Sequence, residues 1–329
     1  MIRRVALVCC LLLAACAPRL ELPGPAVIAP ALAADRFIAA DGAQLPLRSW
    51  LPAGKPWAVA LALHGFNDYA NAFAAVGDFL AGRGVALYAY DQRGFGDTAQ
   101  RGLWPGVPAL VDDLKAVAAQ VRALRPGVPF FLMGESMGGA VVMAAMTGPE
   151  PPVADGLILA APAVWGRVTM PWYQRAALFV GAHTVPWLKL SGRGLHLTPS
   201  DNVEMLKALA RDPLVIKDTR IDAVSGLTDL MDQALAAAPR LTQPSLILYG
   251  EKDEIIPRNA MFRMLRSLPA AERWRQRIAL YARGYHMLLR DLQAETVWKD
   301  VEAWLDDPAG PLPSGADAHA CQTLAGEAP

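Results

Sequence analysis

Six short apolar runs, each bounded by turn-forming residues, recur at 58–63, 85–90, 130–133, 157–160, 246–249 and 278–281. Runs of this length that lack polar alternation are what strands need when both faces of a parallel sheet are covered. Parallel strands require crossovers, and segments of helical period fill several of the gaps, at 71–81, 108–124, 137–146, 259–268 and 294–305. The alternation predicts an α/β fold with a mostly parallel, doubly wound sheet and helices on both faces. With 329 residues, 53% of them apolar, the chain has material for one large core. Residues 36–40 and 44–51 flank Asp41-Gly42, which favours a tight antiparallel hairpin, expected at a sheet edge.

The rhythm breaks between about 164 and 235, where no clear strand run occurs. This stretch reads as an inserted cap or lid within a catalytic domain spanning 35–306. Its first part carries Trp165, Met170, Trp172, Tyr173, Leu178, Phe179, Trp187 and Leu188. Such groups suit the wall of an acyl-binding pocket, with Trp165, Trp172 and Tyr173 as substrate contacts, and equally suit packing of the lid onto the sheet.

The run at 130–133 leads into Gly134-Glu135-Ser136-Met137-Gly138-Gly139 and then a helical segment. A strand, a GxSxG turn and a helix form a nucleophile elbow, in which a strained turn presents the serine to the cleft. A serine hydroxyl needs a general base, and the base needs a carboxylate to hold its tautomer. Where such elbows occur the chain order is serine, acid, histidine. Of five histidines, His64 precedes the elbow, His183 and His196 lie in the insertion and His319 in the tail, which leaves His286, five residues past the last strand. Glu251, Asp253 and Glu254 all follow the run at 246–249; Asp253 is the best placed acid, and spacing alone leaves the two glutamates open. The oxyanion should be met by backbone N–H groups of Met137 and, from the loop His64-Gly65-Phe66, of Phe66, with His64 ordering that loop. No metal-ligand cluster and no dinucleotide-binding glycine pattern is present, so no cofactor is expected.

At the start, Arg3 and Arg4 precede an apolar run over 5–15, too short to span a bilayer and consistent with a signal peptide of residues 1–15. It ends Leu13-Ala14-Ala15-Cys16, which resembles the lipobox of bacterial lipoproteins. That resemblance implies a lipid on Cys16, attachment to a membrane facing the periplasm and, since Ala17 is not acidic, a preference for the outer membrane. Residues 16–34 then read as an extended tether and 307–329 as a flexible tail. Lipidation leaves Cys321 without a disulfide partner. Lys plus Arg and Asp plus Glu both number 31, so no basic surface argues for nucleic acid, and a neutral or apolar substrate fits better.

From about residue 36 to 306 the chain resembles the monoacylglycerol lipase and lysophospholipase-like branch of the α/β-hydrolases. The resemblance rests on His64-Gly65, Asp91-Gln92-Arg93-Gly94-Phe95-Gly96, the elbow at 134–139, the stretch 250–257, and Arg211-Asp212-Pro213-Leu214 in the insertion. It implies Ser136, Asp253 and His286 as a triad, Phe66 and Met137 as oxyanion donors, a lid over an acyl pocket, and Asp68 where relatives carry a glutamate near the glycerol headgroup. The chain departs from the pattern after His64-Gly65, at Phe95 and at Met287, all positions bearing on the headgroup. The implied activity is hydrolysis of a small lipid-like ester, acylglycerol or lysophospholipid, through an acyl-enzyme. Two alternatives stand beside it: an aminopeptidase-like amide hydrolase, with Glu135 and Asp68 holding the amine, and a catalytically silent binding module.

Overall fold

The computed structural model describes residues 18–192, 194 and 197–326; Cys16 and His196 lie outside the described residues. The strands are β1 (Ala31–Leu32), β2 (Arg36–Ile38), β3 (Gln44–Trp50), β4 (Ala58–Leu63), β5 (Val85–Tyr90), β6 (Phe130–Glu135), β7 (Gly156–Ala160), β8 (Lys189–Ser191), β9 (Asp218–Arg220), β10 (Ser245–Gly250) and β11 (Gln276–Tyr281). Nine of them make one sheet in the spatial order β1-β2-β3-β5-β4-β6-β7-β10-β11. Strands β1, β2, β3 and β5 pair antiparallel, and from β5 to β11 every pairing is parallel. The hairpin at Asp41-Gly42 joins β2 and β3, with Gly42 at φ 83° as its turn requires.

The helices, among the described residues, are α1 (Ala74–Ala81), α2 (Val107–Ala123), α3 (Met137–Thr147), α4 (Trp172–Thr184), α5 (Val203–Arg211), α6 (Ile221–Ala237), α7 (Arg258–Ser267), α8 (Ala294–Asp306) and α9 (Ala316–Gly326). Alternate strand residues serve opposite cores. Val59, Leu61 and Leu63 pack with α2, α3, α6 and α7, while Ala58, Ala60 and Ala62 pack with α1 and α8. This two-sided burial is why the strands read as unbroken apolar runs. Chain direction across the sheet reverses at β4, whose neighbours are β5 and β6. At such a switch point the loops leaving the carboxyl ends diverge and open a crevice.

Between β7 and β10 the insertion carries α4, the antiparallel pair β8–β9, α5 and α6. The two short strands are three residues each and largely exposed, so no apolar run announces them. Helix α6 lies on α3 with Leu230 and Ala234 fully buried, which makes it part of the body.

The two ends depart from the sequence expectation. The described part of the tether, from residue 18, lies on the body: Leu20 bridges to Trp104, the Glu21 N–H donates to the Trp104 carbonyl at 2.9 Å, and the Arg19 N–H donates to Asp222 at 3.1 Å. An extended backbone can pair with fixed groups of the body without any apolar period of its own. The tail, read as flexible from 307, instead folds back through Leu312 and forms α9 against β11 with Ala316 and Ala320 buried. Alanine-rich segments carry good helix propensity even where they look compositionally plain. No helix among the described residues is long and apolar enough to cross a membrane.

Candidate active site

Strand β6 ends at Glu135, and the next residue, Ser136, has φ 52° and ψ −115° before α3 begins. Serine rarely adopts this region, and the turn is held by its neighbours. The Ser136 N–H donates to the Ala160 carbonyl at 2.9 Å, and its own carbonyl accepts from Ala163 N–H at 2.9 Å. Glycine is required on either side. A Cβ on Gly138 would strike the Leu63 carbonyl, and one on Gly134 would strike the backbone at Gly138 and Gly139.

His286 lies in the loop after β11, with Nδ1 2.8 Å from Asp253 Oδ2. Asp253 follows β10, and its second oxygen accepts from the N–H groups of Ile255 and Ile256 at 2.8 and 2.9 Å. Both side chains are buried. Burial pushes the His286 imidazole down, but the Asp253 charge and hydrogen bond, helped by Glu135, outweigh it and leave the histidine above its ordinary value. Of the three acids after β10, Asp253 is the one that faces His286. Glu251 turns to Arg258 and His319, at 3.0 and 2.9 Å, and Glu254 accepts from the Thr198 N–H at 2.6 Å. The histidine loop is itself tied down by Asp291, which accepts from Tyr285 N–H and Ser200 Oγ and whose carboxyl burial pushes up to about 6.

The loop after β4 approaches the serine closely: a Cβ on Gly65 would lie 3.4 Å from that of Ser136. His64 is fully buried. Its Nε2 accepts from the Gln92 N–H at 2.9 Å, so Nδ1 carries the proton and donates to the Gly65 carbonyl at 2.8 Å. Burial lowers its basicity, in keeping with a neutral ring. The peptide between Gly65 and Phe66 is planar and trans, so fixing the Gly65 carbonyl fixes the Phe66 N–H in the opposite direction. Phe66 also stacks edgewise on Phe95 and against Trp104. Met137 is the first residue of α3, where an N–H has no partner within the helix.

Ser136 and His286 line one cavity of about 670 Å³, together with Gly65, Phe66, Asp68 and Trp165. Most of the remaining wall is apolar: Met170, Leu178, Val224, Leu227, Met231, Ile255 and Ile256. Trp172 and Tyr173, expected to touch substrate, do not reach it; they are 73% and 57% exposed on the outer side of α4. Helical phase is the reason, since Gln174 and Leu178, one turn apart, are the α4 residues that face the cavity. The same wall holds a residue that sequence reasoning missed. Arg290 sits between Asp68 and Glu135, at 2.7 and 2.9 Å. Its only sequence signal is one cation four residues past His286, closing the apolar stretch Met287-Leu288-Leu289. Asp91, charged and at a strand end, accepts from the N–H groups of Ala70 and Asp97 and orders the turn that follows.

A switch-point crevice over a parallel sheet, with a serine on a strained strand-to-helix turn and a buried histidine–aspartate pair beside it, defines an α/β-hydrolase. Within that class the chain belongs to the Hydrolase_4 family, described as serine aminopeptidase, S33, whose model matches residues 54–293. Similar proteins include the monoglyceride lipase of Mus musculus, 26% identical over 82% of this chain and 89% of that one, and the monoacylglycerol lipase of Mycolicibacterium smegmatis, 26% identical over 82% and 95%. The crystal structure of the Paleococcus ferrophilus monoacylglycerol lipase is 25% identical, with a TM-score of 0.66 over 80% of this chain and 99% of that one. A soluble variant of the Saccharomyces cerevisiae monoglyceride lipase, solved with a substrate analogue, shares the fold at a TM-score of 0.70 over 88% and 99%, with 21% identity.

Proposed function

We propose that the protein hydrolyses carboxylic esters of the monoacylglycerol type, with Ser136 as nucleophile, His286 as general base and acid, and Asp253 as the carboxylate that holds the histidine. The observation that carries this reading is the joint presence of Ser136 and the His286–Asp253 pair on the wall of a mostly apolar cavity. Its volume lies in the range that encloses a drug-sized ligand. Relatives named as monoacylglycerol lipases over most of the chain support the same conclusion.

In the first half-reaction the Ser136 hydroxyl adds to the ester carbonyl and passes its proton to His286 Nε2. The carbonyl oxygen becomes an oxyanion facing the Phe66 and Met137 N–H groups, each worth about 3–4 kcal/mol to such a transition state. Collapse breaks the ester bond, the departing alkoxide takes the proton from His286, and the acyl group remains on Ser136. Water then repeats the sequence and releases the fatty acid. Amide hydrolysis at an N-terminal residue is less well supported because Arg290, between Asp68 and Glu135, halves the negative charge these carboxylates would offer an ammonium.

We further infer, from the residues before Cys16, that the mature protein begins with a lipidated Cys16 and works at the periplasmic side of a bacterial membrane, the outer membrane favoured. The catalytic proposal is tested by intact-protein mass spectrometry after exposure to a fluorophosphonate, beside Ser136→Ala, followed by turnover of 1-acylglycerols of graded chain length. A single adduct that disappears in the variant, together with release of fatty acid, is expected. No adduct on folded protein would overturn the reading.

A further inference from the structure

The cavity wall contains one buried cluster of charges beside the reacting groups. Arg290 Nη1 lies 2.7 Å from Asp68 Oδ2 and Nη2 2.9 Å from Glu135 Oε2, and all three side chains are at most 10% exposed. Each lies close in sequence to a group that acts on the ester: Glu135 precedes Ser136, Asp68 follows Phe66 by two residues, and Arg290 follows His286 by four. An arginine in a lipid pocket suggests a clamp for phosphate, but here both terminal nitrogens are held by carboxylates, which are the partners a phosphate would have to displace. One guanidinium against two carboxylates leaves a net charge of minus one on side chains largely withdrawn from solvent. The apolar remainder of the wall suits the acyl chain, which leaves the cluster to face the alcohol.

We propose that the Arg290–Asp68–Glu135 cluster selects the leaving alcohol by charge, admitting an uncharged, hydroxyl-bearing alcohol such as glycerol and rejecting one that bears a phosphate. This rests on the ester-hydrolase reading above and divides the acylglycerol from the anionic lysophospholipid. An uncharged hydroxyl can donate to a carboxylate and accept from a guanidinium, so it loses nothing on leaving water. A phosphate brings one to two further negative charges against the cluster's own, at a depth where screening is weak.

The test is the ratio of kcat/KM for a 1-acylglycerol 3-phosphate to that for the matching 1-acylglycerol, with an acyl chain short enough for both to stay monomeric. It is measured on the wild type, Glu135→Gln, Asp68→Asn and the double variant, in which the cluster charge runs from minus one through zero to plus one. The ratio is expected to rise about tenfold for each carboxylate neutralised and to change little with ionic strength in the wild type, because the cluster is buried away from counterions. Arg290→Lys, which keeps the charge, is expected to keep the wild-type ratio. A ratio that stays flat across variants labelled normally by fluorophosphonate overturns the filter and leaves the ester reading standing. Should the variants not fold, a wild-type ratio near one overturns it equally. Absence of turnover on every ester, with Ser136 still labelled, strikes the ester reading itself.

Discussion

Asp253→Asn is the substitution that separates the three parts of the proposed triad most cleanly. In the wild type one carboxylate oxygen faces His286 Nδ1 at 2.8 Å while the other accepts from two buried backbone N–H groups, those of Ile255 and Ile256. An asparagine of the same shape must keep its oxygen toward the two N–H groups. Its NH₂ then points at His286 Nδ1, which has to become an acceptor, and the proton moves to Nε2, where it blocks removal of the serine proton. Reversing the amide restores the tautomer at the cost of two buried donors left unpaired, about 1–3 kcal/mol each, or roughly 2–6 kcal/mol together. At 1.36 kcal/mol per decade this is a loss of about 30-fold to 3 × 10⁴-fold, and the equivalent change in a Ser-His-Asp protease lies near 10⁴. We expect kcat/KM for a 1-acylglycerol to fall by about 10³ to 10⁴ with little change in melting temperature. The pH profile supplies a second readout. The imidazole must be neutral to act, so wild-type activity rises with pH through a His286 value held above its ordinary one. Without the Asp253 charge, burial is left to act on the ring, and the acid limb of the residual activity should move to lower pH. A loss of less than tenfold on folded protein, or a larger loss in Glu251→Gln or Glu254→Gln, would refute the assignment of the acid.

Three further outcomes are expected. His64→Ala leaves the Gln92 N–H unpaired and frees the Gly65 carbonyl; the melting temperature should fall by several degrees and kcat by about 10²-fold with KM nearly unchanged, whereas a drop in KM-dependent binding alone would contradict an oxyanion-loop role. Deleting 307–329 uncovers β11 and takes Ser314 from Asp300 and Asp317 from Arg277. Differential scanning calorimetry should then show destabilisation of roughly 2–4 kcal/mol, with an unchanged transition refuting the docking of α9. Cys16→Ser should move the protein from the membrane fraction to the soluble periplasm and abolish labelling by a fatty-acid probe; persistence in the membrane would count against lipidation.

What the sequence made legible follows from what each feature depends on. The central strands and the elbow depend on local rules, two-faced burial and a strained turn needing glycine on both sides, and these leave marks within a few residues of themselves. The proposed triad could be read from order, because the topology delivers the carboxyl ends of β6, β10 and β11 to the same end of the sheet whatever the loop lengths between them. Choosing among Glu251, Asp253 and Glu254 needed the partners Arg258, His319 and Thr198, which arrive from α7, α9 and the insertion and have no local signature. Trp172 and Tyr173 failed for a related reason: composition marked the insertion as aromatic, but only the phase of α4 decides which of its side chains look inward. Arg290 is the sharpest case. A lone arginine reads as solvated surface until the fold places it between a loop residue 222 positions earlier and the residue before Ser136. Its burial is tolerable only because both carboxylates are there to meet it, since an unpaired charge at that depth costs several kcal/mol. The arrangement that makes the cluster stable is therefore the one that holds both terminal nitrogens of the guanidinium on carboxylates. The departures from the family pattern after Gly65 and at Met287 flank this same cluster, so the part of the site least readable from motifs is the part proposed to meet the alcohol.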